Sequence, residues 1–179
     1  MASASILSRK PVELLLGLQQ LYVQDQHGES ASSDAPKVLA FEVAKYSLCC
    51  EMNQIDSVAD PAAMLVLPKT KPWLRGVINR HGRNLSVVDL ALFLELGGPI
   101  AEGAGQLLVL ADSSLQVSFW VDSVVGLRSF ADIDLVASTE DLPSGLSSYS
   151  GQTYVDGEQI WNLLDISDIT SSARFHEVQ

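Results

Sequence analysis

Cationic side chains are scarce in this 179-residue chain: 11 lysines and arginines stand against 22 aspartates and glutamates, a formal net charge of −11 at pH 7. Nucleic-acid binding needs a basic footprint against phosphate, so it is disfavoured, as is docking on an anionic membrane surface. Acidity suits basic protein partners and, equally, plain solubility. The three histidines, His27, His81 and His176, fall in a polar linker, a turn and a tail, without the spacing of a metal site. The two cysteines, Cys49 and Cys50, are adjacent. Neighbours in a strand point to opposite faces, so these two cannot form an ordinary disulfide or chelate one ion together, and they read as core thiols.

Long apolar runs are missing as well: nothing approaches the ~20 residues that cross a bilayer. Arg9 and Lys10 precede Leu14-Leu15-Leu16 as in a signal peptide, but Pro11 and Glu13 interrupt the pattern and no small-residue cleavage site follows. The chain therefore reads as cytoplasmic. No Gly-x-Ser-x-Gly elbow or Gly-Lys-Ser/Thr loop occurs, and Gly103-Ala104-Gly105 runs into Gln106-Leu107-Leu108 rather than completing a dinucleotide fingerprint. The expectation is a protein without catalytic residues, metal or cofactor.

What the chain does have is a half-hidden duplication. Val38–Phe41, Ile55-Asp56-Ser57-Val58, the pair Gly76 and Gly82, and Leu85–Val88 recur as Leu107–Leu110, Val121-Asp122-Ser123-Val124, the pair Gly151 and Gly157, and Ile160–Leu163. The Asp-Ser-Val pieces are offset by 66 (122 minus 56) and the glycine pairs by 75 (151 minus 76), which leaves nine extra residues in the second copy. A repeat of this length is a supersecondary unit of several strands rather than a solenoid module.

The elements agree. Pro11–Tyr22 has Leu14, Leu18 and Leu21 on one helical stripe with Ser8 as cap, and Gln24–Pro36 is polar and aperiodic. Residues 1–36 thus form a helical extension and linker. From Lys37 onward, short apolar runs are punctuated by turns, with His81-Gly82 and Asp156-Gly157 as hairpin signals. Asp89 caps a helical turn over Leu90–Leu96, Ala131–Ser144 is an acidic inserted loop, Asp165–Ser172 is a short closing helix, and Ala173–Gln179 is a frayed tail. The fold class is all-β over 37–172, in two lobes at about 37–96 and 106–164. Two positions stay open: Gly76 is a bulge or a close backbone approach, and Trp73 is core or an interface anchor.

The ordered string Leu67-Pro68-x-x-Lys71-x-Trp73-Leu74-Arg75-Gly76-Val77-Ile78-Asn79-x-x-Gly82, with Val87-Val88-Asp89-Leu90, Val121-Asp122-Ser123-Val124 and Gly157-x-x-x-Trp161-x-Leu163-Leu164-Asp165, resembles the CheW-like adaptors of bacterial chemosensory systems. Lys71-x-Trp73, Val125-Gly126-Leu127 followed by Phe130, and the N-terminal extension are most similar to the PilI-type adaptors of type IV pilus (twitching) systems. The resemblance implies two five-stranded SH3-like barrels around a shared core and no enzymatic activity. It also implies a scaffold at membrane-associated arrays, bridging methyl-accepting receptors to the regulatory domain of a CheA-type kinase. Carried over by position, the receptor groove takes in Ile55, Ser57, Gly76, Asn79, Arg80, His81, Gly82 and Arg83, and the kinase contact takes in Val124, Val125, Gly126 and Leu127.

The chain departs from the family pattern at His81, Ser86 and Ala91, where arginine, proline and arginine are usual. Strand alternation puts residues 81 and 83 on one face, so Arg83, rather than Arg80, is expected to replace the missing guanidinium. Two other functions are compatible with an all-β chain: a relative of the kinase regulatory domain, against which the lack of dimerisation and ATP-binding segments counts, and a ligand-binding barrel.

Overall fold

The computed structural model describes residues 37–129, 135–137, 142–157 and 159–177; the N-terminal helix and linker expected over 1–36 lie outside them. Eleven strands are present among the described residues: β1 (Lys37–Val43), β2 (Tyr46–Glu51), β3 (Ile55–Ala59), β4 (Leu74–Arg80), β5 (Arg83–Asp89), β6 (Gln106–Leu110), β7 (Val117–Val121), β8 (Ser123–Ser129), β9 (Leu135–Ala137), β10 (Gln152–Asp156) and β11 (Gln159–Leu163). Four short helices accompany them: α1 (Leu90–Phe93), α2 (Ser144–Ser147), α3 (Ile166–Ser171) and α4 (Ala173–His176).

Sheet I runs β8-β1-β2-β11-β10-β9 and sheet II runs β3-β6-β7-β5-β4. Neither is a contiguous stretch of chain. Sheet I joins the first two strands of the first half to strands of the second, and sheet II does the reverse. Segments 37–96 and 106–164 are therefore the units of the repeat, and the lobes are assembled across them. Apart from β9, the two strand orders are the same order one half apart, so the lobes are two pseudo-symmetric five-stranded SH3-like barrels.

The ladders fix how the halves correspond. Leu39 faces Cys50 as Leu108 faces Phe119, an offset of 69 (108 minus 39, 119 minus 50). Asp56 is the bulged residue of β3 against β6, and Val125 is that of β8 against β1, again 69 apart (125 minus 56). Further on, Asp89 and Asp165, 76 apart (165 minus 89), each cap the helix that follows the last strand of their hairpin. The offsets of 66 and 75 drawn from matched Asp-Ser-Val pieces and glycine pairs thus become 69 and 76. Gly157 is the counterpart of His81 and Gly76 that of Gln152, because hydrogen-bond register, not residue identity, sets the equivalence.

Strands that separate two cores must be apolar on both faces. β7, Val-Ser-Phe-Trp-Val, is buried throughout. In β1, Leu39, Phe41 and Val43 enter the large core between the sheets, while Val38 and Ala40 enter a smaller one with Cys49, Tyr154 and Trp161. Cys49 and Cys50 divide between these two cores as alternation requires. Trp73 is core: it meets Phe93 edge-on at 5.3 Å and stacks on Phe175 at 6.1 Å. Phe175 also corrects the tail. Ala173–His176 is a helical turn whose backbone Phe175 N–H is capped by Ser172 Oγ, and the ring is buried against Trp73, Phe93 and Phe119. The inserted loop likewise contains a strand, β9, paired with β10.

One buried carboxylate ties the second sheet together. Asp89, at the end of β5, is fully buried and accepts from Arg75 Nη1 at 2.9 Å, Ile100 N at 3.0 Å and Leu92 N at 3.2 Å. Its counterpart Asp165 is exposed and accepts only from Ser167 N and Asp168 N. Asp89→Ala should therefore lower stability by about 3–5 kcal/mol, because it strands a largely buried guanidinium. Asp165→Ala should lose about 1 kcal/mol, the worth of a surface cap. Urea unfolding of the two variants checks the difference.

Burial pushes both thiols up to about 12 from an ordinary 9.0, with Cys49 and Glu51 adding to the effect at Cys50. A raised native pKa contributes stability that is intact below pH 9 and declines as pH rises from 9 towards 12, where the unfolded chain ionises first. The fall in urea midpoint between pH 8 and pH 10 should accordingly be smaller in the Cys49→Ala, Cys50→Ala double variant than in the parent. Iodoacetamide should label the parent only after unfolding.

Candidate functional site

Strands β4 and β5 meet at a two-residue turn in which His81 (φ 49) and Gly82 (φ 77) both take positive φ, the requirement of a type I′ hairpin. Glycine adopts that conformation freely; histidine does so at a cost of about 1–2 kcal/mol. Arg80 pairs directly with Arg83 across the ladder, and Asn79 with Asn84, whose side chains are joined by a 2.9 Å hydrogen bond from Asn79 Nδ2 to Asn84 Oδ1. The expectation that Arg83 alone shares a face with His81 does not hold. His81 belongs to the turn and not the strand, and directly paired residues present their side chains on the same face.

Arg80, His81 and Arg83 line one depression of about 270 Å³ with Asp56, Ser57, Leu85 and Val109. Four of the eight expected receptor residues (Ser57, Arg80, His81 and Arg83) thus converge. Asn79 and Gly82 are exposed beside them. Ile55 and Gly76 are buried. Gly76 sits at a bulge with φ 152, and a Cβ there would collide with Leu65 O, so this glycine admits the backbone of the preceding loop. Asp56 was missed by sequence reasoning; its only signal was its place in the repeated Asp-Ser piece, and it reaches the depression because the bulge frees it from the ladder. Among the described residues the ion pairs are Arg75–Asp89 and Arg174–Glu95, so Arg80 and Arg83 keep their donors available.

The second set of expected residues lies on the other sheet. Among the described residues β8 is an edge strand, hydrogen-bonded to β1 alone. Val125, its bulged residue, is 41% exposed and Leu127 is 54% exposed. Val124 is half-buried against the large core and donates its N–H to Gln106 Oε1 at 2.8 Å, while Gly126 adopts φ 126. β3 and β8 occupy equivalent edge positions in the two lobes, each broken by an equivalent bulge. One presents a carboxylate next to two arginines, the other aliphatic side chains.

Among the described residues no helix is long and apolar enough to cross a membrane, and no group of histidine, cysteine or acidic side chains is arranged to hold a metal ion. A family model described as the CheW-like domain matches residues 37–174. A curated relative, "Chemotaxis protein CheW" of Thermotoga maritima, is 29% identical over 133 residues, covering 74% of this chain and 86% of its own length. The crystal structure of the scaffolding protein TtCheW from Thermoanaerobacter tengcongensis superposes with a TM-score of 0.66 at 13% identity, covering 81% of this chain and 99% of that one. The match of the family model across both lobes shows that the chain belongs to the CheW-like domain family, whose members are non-catalytic adaptors.

Proposed function

We propose that this protein is a chemosensory adaptor that couples the cytoplasmic tip of a methyl-accepting chemoreceptor to the regulatory domain of a CheA-type kinase, in a system controlling type IV pilus motility. The observation that carries the reading is the separation of two unlike surfaces on equivalent edge strands of different sheets. A coupling protein must hold two partners at once, and sites on separate sheets do not compete for space. The depression at the β4–β5 turn carries Arg80 and Arg83 unpaired, which suits the carboxylates of a receptor helix. His81 in place of the usual arginine leaves the site cationic, because the two flanking guanidinia are always charged. Val125 and Leu127 offer an apolar edge for the kinase domain. The pilus assignment is supported by Lys71-x-Trp73 and by Val125-Gly126-Leu127, both on the PilI-type pattern.

Arg80→Ala and Arg83→Ala should weaken binding to a purified receptor tip by similar amounts, about fivefold each, the worth of roughly 1 kcal/mol for a partly exposed charge-assisted contact. Calorimetry at two salt concentrations reads this, and the parent's affinity should fall with salt more steeply than either variant's. Equal affinity of all three would remove the depression from the receptor interface.

Val125→Asp places an unpaired charge in the apolar edge and should reduce kinase-domain affinity by at least tenfold while leaving receptor binding intact, a loss of about 2–5 kcal/mol if the contact is fully desolvated. Loss of receptor binding in the same variant would argue for one shared surface instead of two.

A further inference from the structure

The stretch Pro61–Pro68 contains no charged residue, yet Leu65 is 70% and Val66 67% exposed, the most exposed large hydrophobics among the described residues. Beside it opens a groove of about 340 Å³ floored by Ile78, Val87, Leu107 and Trp120 and rimmed by Val66 and Glu102. Both walls are held in place. Leu65 N donates to Val77 O at 2.8 Å and Val77 N to Leu65 O at 2.9 Å, and Thr70 Oγ1 donates to Leu67 O at 3.1 Å. On the opposite side Asp89 accepts from Ile100 N, and Trp120 Nε1 donates to Ala104 O at 2.8 Å. A rigid apolar concavity of this size is the form of a binding site.

The other lobe carries larger side chains at two positions of the equivalent hairpin. The counterparts of Ile78 and Leu85 are Tyr154 and Trp161 (154 minus 78 and 161 minus 85 are both 76), and both aromatic rings are buried in the smaller core. Of this pair Ile78 lines the groove, an aliphatic side chain where the other lobe has the ring of Tyr154, while Leu85 lines the Arg80–Arg83 depression.

Charge selects the occupant. Glu102 stands exposed at the rim and Asp60 precedes the uncharged stretch; among the described residues neither enters an ion pair. The Arg75 guanidinium lies over the Trp120 ring at 5.2 Å and is committed to Asp89. We infer that this groove binds a polypeptide segment presenting an aliphatic side chain flanked by lysine or arginine, the aliphatic group entering against Val66 and Trp120 and the cation meeting Glu102. The site is opposite in polarity to the Arg80–Arg83 depression, so the two select different segments. The inference does not depend on the receptor and kinase assignments.

Two synthetic hexapeptides test it, each with a central Leu-Leu pair, one flanked by lysines and the other by glutamates. The indole N–H resonance of Trp120, which lines the groove, is the reporter in the full-length ¹⁵N-labelled protein, and Trp73 and Trp161, which do not line it, are internal controls. The lysine peptide should shift the Trp120 signal saturably and at least tenfold more tightly than the glutamate peptide. Glu102→Lys should reverse that preference, and Val66→Asn, a neutral surface change that leaves the amide spectrum dispersed, should weaken the lysine peptide at least tenfold. An unmoved Trp120 signal at millimolar peptide overturns the inference, as does equal binding of the two peptides or unchanged binding by Val66→Asn.

Discussion

Asp89 is the constraint on which the second sheet depends. Its fully buried carboxylate receives a guanidinium from β4, a backbone N–H from the first turn of α1, and another from the segment that leads into β6. Four pieces of chain are thereby fixed to one another by a single side chain. The cation it neutralises lies over Trp120, and the Trp120 indole in turn bonds Ala104. A buried ion pair rarely adds much stability over an apolar substitute, but it tolerates few alternative arrangements. Here it fixes the path of residues 100–105, hence the separation of the walls beside Trp120. Arg75, Gly76 and Asp89, in the string that runs from Arg75-Gly76 to Val88-Asp89, therefore have a folding role. Arg75 locks, Gly76 admits the loop above it, and Asp89 caps. This is why departures at His81, Ser86 and Ala91 leave the architecture intact: none of the three belongs to the lock.

Duplication followed by divergence accounts for the differences between the lobes. The equivalent of the buried Asp89 is the exposed Asp165, which has kept the helix cap and, among the described residues, has no ion pair. The equivalent of bulged Asp56 is bulged Val125. A bulge on an edge strand does two things at once: it disrupts the row of unpaired backbone groups that would invite edge-to-edge association, and it re-aims a side chain outward. Equivalent backbone geometry with exchanged side-chain chemistry yields two edges of unlike character, one charged and one aliphatic.

Much of this was legible in the sequence, and the failures have a common cause. The strands other than β9, the His81-Gly82 turn, the cap at Asp89 and the existence of a repeat all follow from local patterns within a few residues. Register and strand partnership are decided by residues far apart in the chain. The Asp-Ser-Val pieces match in letters at an offset of 66, but the ladders count through the bulges at Asp56 and Val125 and arrive at 69. No local pattern reveals that β6 leaves its own half to pair with β3. Alternation failed at His81 for the same reason: positive φ takes the residue out of the strand, so period-two counting does not carry across the turn. The tail was read as frayed because a lone Phe175 in a polar stretch has no periodicity, although its ring meets three others in the core.

The interleaving of halves also bears on coupling. Were each lobe a contiguous segment, a partner on one could pull it away from the other through a hinge in a single linker. Instead β1 and β2 leave the first half to pair with β8 and β11, and β6 and β7 cross in the opposite sense, so several chain segments cross between the lobes. Side chains of β1, β2, β5, β6 and β7 share the large core between the sheets. Separating the lobes would expose that core, and at about 25 cal/mol per Å² of apolar surface even a partial opening is far above thermal energy. An object built this way transmits position and not flexibility. A load applied at the β3 edge reaches the β8 edge by rigid displacement, and that is the mechanical property a scaffold between two partners needs.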